Sequence, residues 1–333
     1  MPLCADTDVR GIDLLVYPGA QQAAVHGLTD LFGVANGIAA EHATAGLPRL
    51  RVRHWQVDAS DAGLSCCFDS HPGEVGQATV IVLPPCLVDL PSDAIIASLA
   101  DWLREQHGRG VTLGSVCAGA FLLAHSGLLD GRIATTHWHL ARELAEQFPA
   151  IEVDADRLII DDGDIITAGG LMAWTDLGLA LVNRLLGPSV AAQTARFLVV
   201  DLSRHSQRYF SSFAPSFSHG DEAVLKVQHW LQTQVAQGVS LADMAARAGL
   251  GERTFLRRFR AATGLKPTEY AQHLRMGKAR ELLELTQRSV EQIAWEVGYQ
   301  DPGAFRQVFL KVVGLMPRDY RQRFAIGANR SAG

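Results

Sequence analysis

Residues 111–119 read Val111-Thr112-Leu113-Gly114-Ser115-Val116-Cys117-Ala118-Gly119, and this stretch decides the fold. Its β-branched and apolar start predicts a buried strand, and Phe121-Leu122-Leu123-Ala124 just beyond predicts a helix. Between them the chain must turn sharply, with small residues that let the backbone pass closely. That is a nucleophile-elbow layout with Cys117 in the place of a serine. A cysteine at a helix N-terminus meets the positive end of the dipole, which favours thiolate, and His137 follows in Ala134-Thr135-Thr136-His137-Trp138.

Upstream of the elbow, residues 12–17 and 78–83 are apolar runs stopped by Pro18-Gly19 and Pro84-Pro85, and 51–57 alternates as a further strand. Residues 28–38 and 91–106 carry helical periodicity. Strands alternating with helices predict a mostly parallel α/β sheet, in which ligands bind beyond the carboxyl ends of the strands. Tyr17, Leu83 and Leu113 end three strands, so 19–26, 84–87 and Cys117 should converge. Downstream, a helix over 140–148 leads to an Asp162-Gly163 hairpin. Helices over 173–186, stopped by Gly187-Pro188, and over 190–201 follow.

A length of 333 residues predicts two or three domains, and 48% hydrophobic with 20% charged residues suits a globular chain. Residues 1–10 lack the apolar core of a secretory leader. Residues 110–129 carry no charge, but glycine, serine, threonine and histidine break the window into strand, turn and helix, so no membrane span is expected. The five cysteines, at 4, 66, 67, 86 and 117, are odd in number and without zinc spacing; they read as reduced thiols of a cytoplasmic protein. Neither a metal nor a cofactor is expected.

Charge divides the chain. Residues 1–221 hold 13 arginines, no lysine and 25 acids, a net of −12, whereas 222–333 hold 17 basic and 10 acidic residues, a net of +7. A basic third joined to an acidic body points to nucleic acid on one side and a small molecule or protein on the other. Residues 203–220 are serine-rich with little apolar period and read as a linker. Beyond them Ser240 caps a short helix over 241–248, Gly249 supplies a turn, and 252–263 is a second helix with Phe255 and Phe259 inward. The arrangement recurs: Ser289 caps 290–297, Gly298 turns, and 301–313 carries Phe305 and Phe309. A long amphipathic helix over 270–285 separates the two helix-turn-helix units.

The second half resembles the DNA-binding domain of AraC/XylS-type transcription regulators. The resemblance lies in Arg257-Arg258-Phe259 before Gly264, Pro267-Thr268-Glu269-Tyr270, Ala279-Arg280-Glu281-Leu282-Leu283, Gly298-Tyr299, Phe305-Arg306-Gln307-Val308-Phe309 and Pro317-Arg318-Asp319-Tyr320-Arg321. Residues 12–200 resemble the PfpI-like (class I glutamine-amidotransferase-like) fold, and the two together resemble the regulators that join both. The resemblance implies an α/β flavodoxin-like sandwich with a nucleophile elbow, followed by an all-α domain with two helix-turn-helix motifs. The divisions are 1–202 for ligand sensing and dimerisation, 203–221 as linker, 222–326 for DNA binding and 327–333 as a disordered tail. The implied partners are promoter DNA, a small, possibly nitrogen-containing effector such as an amino acid, betaine or amine, a second copy of the chain, and RNA polymerase for an activator.

With the phenylalanines inward, the first recognition helix presents Arg253, Leu256, Arg257 and Arg260, and the second presents Gly303, Arg306 and Gln307. Arginine reads guanine edges and glutamine reads adenine. Three uses compete for Cys117. A nucleophile needs a proton acceptor and oxyanion donors, for which the resemblance offers His137 and the Ala118 amide. However, the acidic residue that such enzymes place after the first strand falls at Ala24, and their Gly-Gly after the third strand is Pro85-Cys86. A redox pair with Cys86 is the second use. The preferred use is a non-catalytic pocket of Ala24, Pro85, Cys86, Cys117, Ala118, His137, Trp138, Gly170 and Trp174, in which elbow amides hold a carboxylate and a tryptophan faces a cation.

Overall fold

The computed structural model describes residues 8–41, 46–58, 63–74, 76–202, 204–234 and 238–325. Cys4 and the tail expected over 327–333 lie outside them. Two compact units are present, Met1–Arg208 and Tyr209–Gly333.

The first unit runs β1 (Val9–Val16), α1 (Gln22–Glu41), β2 (Arg49–Val57), β3 (Leu64–Asp69), β4 (Ala78–Leu83), α2 (Asp93–Gly108), β5 (Thr112–Val116), α3 (Gly119–His125), β6 (Ile133–Ala134), α4 (Ala141–Gln147), β7 (Glu152–Val153), β8 (Ile159–Asp161), β9 (Ile165–Ala168), α5 (Trp174–Leu186) and α6 (Pro188–Leu198). The main sheet has the order β3-β2-β1-β4-β5-β9-β8. Its five inner strands are mutually parallel. Taken in chain order they follow the flavodoxin-like arrangement, with the switch point between β1 and β4. Ile12, Leu15, Ile81, Leu83 and Leu113 are fully buried because helices cover both faces. α1 packs with α5 and α6, and α2 packs with α3.

Antiparallel edges close the sheet: β8 pairs with β9 through the Asp162-Gly163 turn, and β3 pairs with β2. Arg51 clasps Asp69 of β3 at 2.9 and 2.6 Å, and Arg53 clasps Asp13 of β1 at 2.7 and 2.9 Å. The polar alternation of β2 therefore serves neighbouring strands, and the Arg51 guanidinium holds the Asp69 carboxyl down at about 2.

The stretch read as a linker is packed at both ends. His205 O accepts from Leu158 N (3.1 Å) and Gln207 N donates to Asp156 O (3.0 Å), which ties 205–207 to the first unit. Tyr209 belongs to the core of the second. The missing apolar period reflects polar side chains satisfied by backbone groups rather than an unpacked chain.

The second unit contains α7 (Glu222–Thr233), α8 (Leu241–Ala248), α9 (Glu252–Thr263), α10 (Pro267–Leu285), α11 (Val290–Glu296), α12 (Pro302–Val313) and α13 (Pro317–Phe324). Both capping serines act as expected. Ser240 Oγ accepts from Asp243 N (3.1 Å) while Asp243 accepts from Ser240 N (2.9 Å), and Ser289 and Gln292 repeat the exchange at 3.1 and 2.8 Å. α12 lies 50 residues after α9, and buried Phe305, Phe309 and Tyr320 match Phe255, Phe259 and Tyr270 at that offset. α10 serves both halves, giving Tyr270 to one core and Met276, Ala279 and Leu283 to the other.

Candidate functional site

Cys117 follows β5 directly and adopts φ +54°, one of two non-glycine residues at positive φ among the described residues. Such a backbone costs about 1–3 kcal/mol and persists only when its surroundings over-determine it. They do so here. Cys117 N donates to Ala168 O (2.9 Å), Cys117 O accepts from Thr136 Oγ1 (2.7 Å), and a Cβ on Gly119 would lie 2.5 Å from Leu83 O. The strand-to-helix elbow read from the sequence is present, and glycine at 119 is obligatory because two backbones meet there.

The thiol, however, is not poised. Cys117 is 5% exposed, and burial pushes it up to about 11. The amides of Ala118 and His137 lower it, but the neighbouring Cys86 raises it further. The expected helix-end thiolate is thereby overturned: desolvation outweighs a short, seven-residue α3. The backbone amide of His137 is turned toward the sulfur; its ring Nδ1 accepts from His139 N (3.1 Å), and burial lowers the imidazole. Near neutral pH burial keeps Cys117 in the thiol form. Iodoacetamide is expected to label exposed Cys66 and Cys67 first and Cys117 only after denaturation, followed by mass spectrometry of the peptides. Labelling of Cys117 at the rate of Cys66 would contradict this burial.

The loops after β1 and β4 converge on the elbow as expected. Gln21 N donates to Pro85 O (2.7 Å), Leu87 N donates to Gly19 O (3.0 Å), Ala20 bridges Cys86, and Tyr17 OH donates to Pro84 O. Burial, reinforced by the Cys86 and Cys117 thiols, raises the Tyr17 phenol, which places all three groups together. Gln21 is 6% exposed with its Oε1 unpartnered among the described residues. Sequence reading missed this group, since a glutamine before a helix carries no signal of its own.

The remaining expected pocket residues serve other contacts. Ala24 is buried in α1, and its N donates to Gln21 O (3.0 Å). Trp174 packs on Gly27 of α1, where a Cβ would approach the ring to 2.4 Å. Gly170 accepts from Ala173 N (2.9 Å) before α5. Trp138 stands beside the His137 ring, 5.2 Å between centroids, and its N donates to Gln207 Oε1 (3.1 Å). Gln207 Nε2 also donates to Thr136 O (2.7 Å), so this buried glutamine, likewise missed, fixes the segment that bonds Cys117 O.

On the helical unit, Arg253, Arg257 and Arg260 are exposed and Leu256 is half-buried. Gly303 and Gln307 are exposed at the positions matching Arg253 and Arg257. Arg306 is half-buried and ion-paired with Glu291 of α11. Leu310, missed by the sequence reading, matches Arg260 and is exposed. Arg258 points elsewhere, clasping Asp221 at the start of α7 at 2.9 and 2.7 Å.

Residues 244–323 match the sequence model of a helix-turn-helix domain, and 62–184 match that of the DJ-1/PfpI family. Over 268 residues the chain is 30% identical to the HTH-type transcriptional regulator GlxA of Rhizobium meliloti, covering 80% of this chain and 82% of that protein. The chain belongs to the AraC-type transcriptional regulators. A second AraC-type relative, the HTH-type transcriptional regulator CdhR of Pseudomonas aeruginosa, is 31% identical over 236 residues, 71% of this chain and 67% of the relative. The crystal structure of an AraC family transcriptional regulator from Pseudomonas putida aligns over 57% of this chain and 99% of its own, with a TM-score of 0.45 and 19% identity. In this AraC-type regulator the DJ-1/PfpI unit precedes the helical one, and no described helix is long and apolar enough to cross a membrane.

Proposed function

We propose that this AraC-type regulator reads promoter DNA with α9 and α12 and that its DJ-1/PfpI unit senses a small metabolite without converting it. The observation that carries the DNA reading is the duplication: two recognition helices with the same inward phenylalanines share one spacer, α10. Two such units on a rigid spacer suit successive major-groove segments about 34 Å apart on one face of DNA. The reading residues are Arg253, Leu256, Arg257 and Arg260 on the first helix, with Gly303, Arg306 and Gln307 on the second. The reading without catalysis is supported by a buried thiol pushed up to about 11 and by an imidazole whose Nδ1 bonds its own loop. Pairing of two copies through the first unit, an activating role and RNA polymerase as a further partner complete the proposal, with the cytoplasm as its location.

At the elbow, an effector entering beyond β1 and β4 meets the amides of Ala118 and His137 and the side-chain Oε1 of Gln21, which has no partner among the described residues. The purified chain is expected to prefer its own upstream region over random DNA at physiological salt, with affinity falling steeply as salt rises. Equal binding to both DNAs in fluorescence anisotropy overturns the regulator reading. Cys117→Ala is expected to keep the transcriptional response in full.

A further inference from the structure

A separate cleft of about 600 Å³ opens in the first unit between α5, α6 and the segment leading out of α6. Its size is that of a small-molecule site. The walls are apolar, with Leu179 and Ala180 from α5 and Ala191 and Ala192 from α6. Arg157, Asp176, Asp201 and Arg204 supply charge along the lining, and Asp176 and Arg204 face each other there. The Asp176 side chain is 7% exposed, and the Arg204 guanidinium approaches it at 3.7 Å, too far for a hydrogen bond. Arg204 Nε is buried without a partner among the described residues. Burial, with Asp201 adding to it, raises the Asp176 carboxyl despite Arg204 and the Thr175 hydroxyl.

We propose that this cleft binds a small dipolar metabolite whose carboxylate takes the Arg204 guanidinium, whose ammonium completes the Asp176 carboxylate, and whose aliphatic body lies on Ala180, Ala191 and Ala192. Each of these two charges meets its opposite only at 3.7 Å, and a zwitterion brings both opposite charges into contact. A partly buried guanidinium gains from a carboxylate that accepts on its fork, and a desolvated carboxylate gains most from a cation in contact. A molecule with one charge satisfies one group and competes with the 3.7 Å pair for it, so the pair selects for dipolar ligands. The site is distinct from the elbow: none of its lining residues belongs to the loops around Cys117. Its binding needs no DNA, so it stands or falls apart from the regulator reading.

The test is calorimetric titration and thermal melting of the full chain with glycine, β-alanine, 4-aminobutanoate and 5-aminopentanoate, against butanoate and butylamine as singly charged controls. At least one zwitterion is expected to raise the melting temperature by roughly 3 °C at about tenfold excess over its dissociation constant, with neither control doing so. Arg204→Gln and Asp176→Asn are expected to weaken that binding at least tenfold. Because Asp176→Asn could disturb folding, Ala192→Trp, which fills the cleft from a half-exposed helical position, serves as an independent block. Absence of binding by all four zwitterions, equal binding by butanoate, or binding that survives both Arg204→Gln and Ala192→Trp overturns the proposal.

Discussion

The Phe259→Ala variant is expected to lose about 3–5 kcal/mol of stability in the helical unit and, with it, promoter binding. Phe259 is fully buried between Phe255 and Tyr270, each 5.3 Å away between ring centroids, with Tyr270 meeting it edge-on at 89°. Tyr270 in turn accepts from Gln228 Nε2 (3.1 Å), a fully buried amide of α7. Truncation removes the ring that joins α9 to α10 and leaves a void that a hydrogen-bonded tyrosine cannot swing to fill without losing its partner. A domain of this size holds about 5–15 kcal/mol in total, so the loss takes a large share of it. Urea unfolding followed by circular dichroism should show the helical transition moving to lower denaturant while the α/β transition stays. An unmoved helical transition would mean that the aromatic column is not what holds α9.

How far the sequence carries depends on whether the cause is local. The Ser240 and Ser289 caps, the Asp162-Gly163 hairpin and the apolar strands are encoded within a few residues, and they stand where periodicity and turn chemistry place them. β3 escaped because Ser65, Cys66 and Cys67 are exposed on an edge strand and its order comes from β2, through Arg51 and Asp69. Gln207 escaped for a similar reason: its partners Thr136 and Arg157 lie 71 and 50 residues away. At the elbow, backbone shape was legible but chemistry was not. Small residues announce a tight turn, whereas the ionisation of Cys117 is set by desolvation among Tyr17, Cys86 and the loop after β4, which no spacing rule reports. Asp176 and Arg204 were equally silent, since an acid in the first turn of a helix and an arginine after another are ordinary in sequence.

The double variant Arg253→Ala/Arg257→Ala is expected to lose roughly 10²–10⁴-fold in operator affinity and much less on random DNA, because a bidentate arginine carries about 1–3 kcal/mol of discrimination. The two helices share matching inner faces but differ on their outer ones. α9 exposes Arg253, Arg257 and Arg260, whereas the matching positions of α12 hold Gly303, Gln307 and Leu310. The one arginine proposed to read from α12, Arg306, is already paired with Glu291 and must break that pair to reach a base. Arg306→Ala is therefore expected to cost less than either α9 arginine, and Glu291→Ala is expected to raise affinity rather than lower it. Fluorescence anisotropy at fixed salt on operator and random duplexes separates base reading from phosphate contact, since a phosphate contact weakens both alike and flattens the salt slope. Equal losses on the two duplexes would reassign Arg253 and Arg257 to the backbone and move sequence reading to Gln307 and Leu256. A selective loss places it on α9, leaving α12 to fix register with one amide and a tethered arginine.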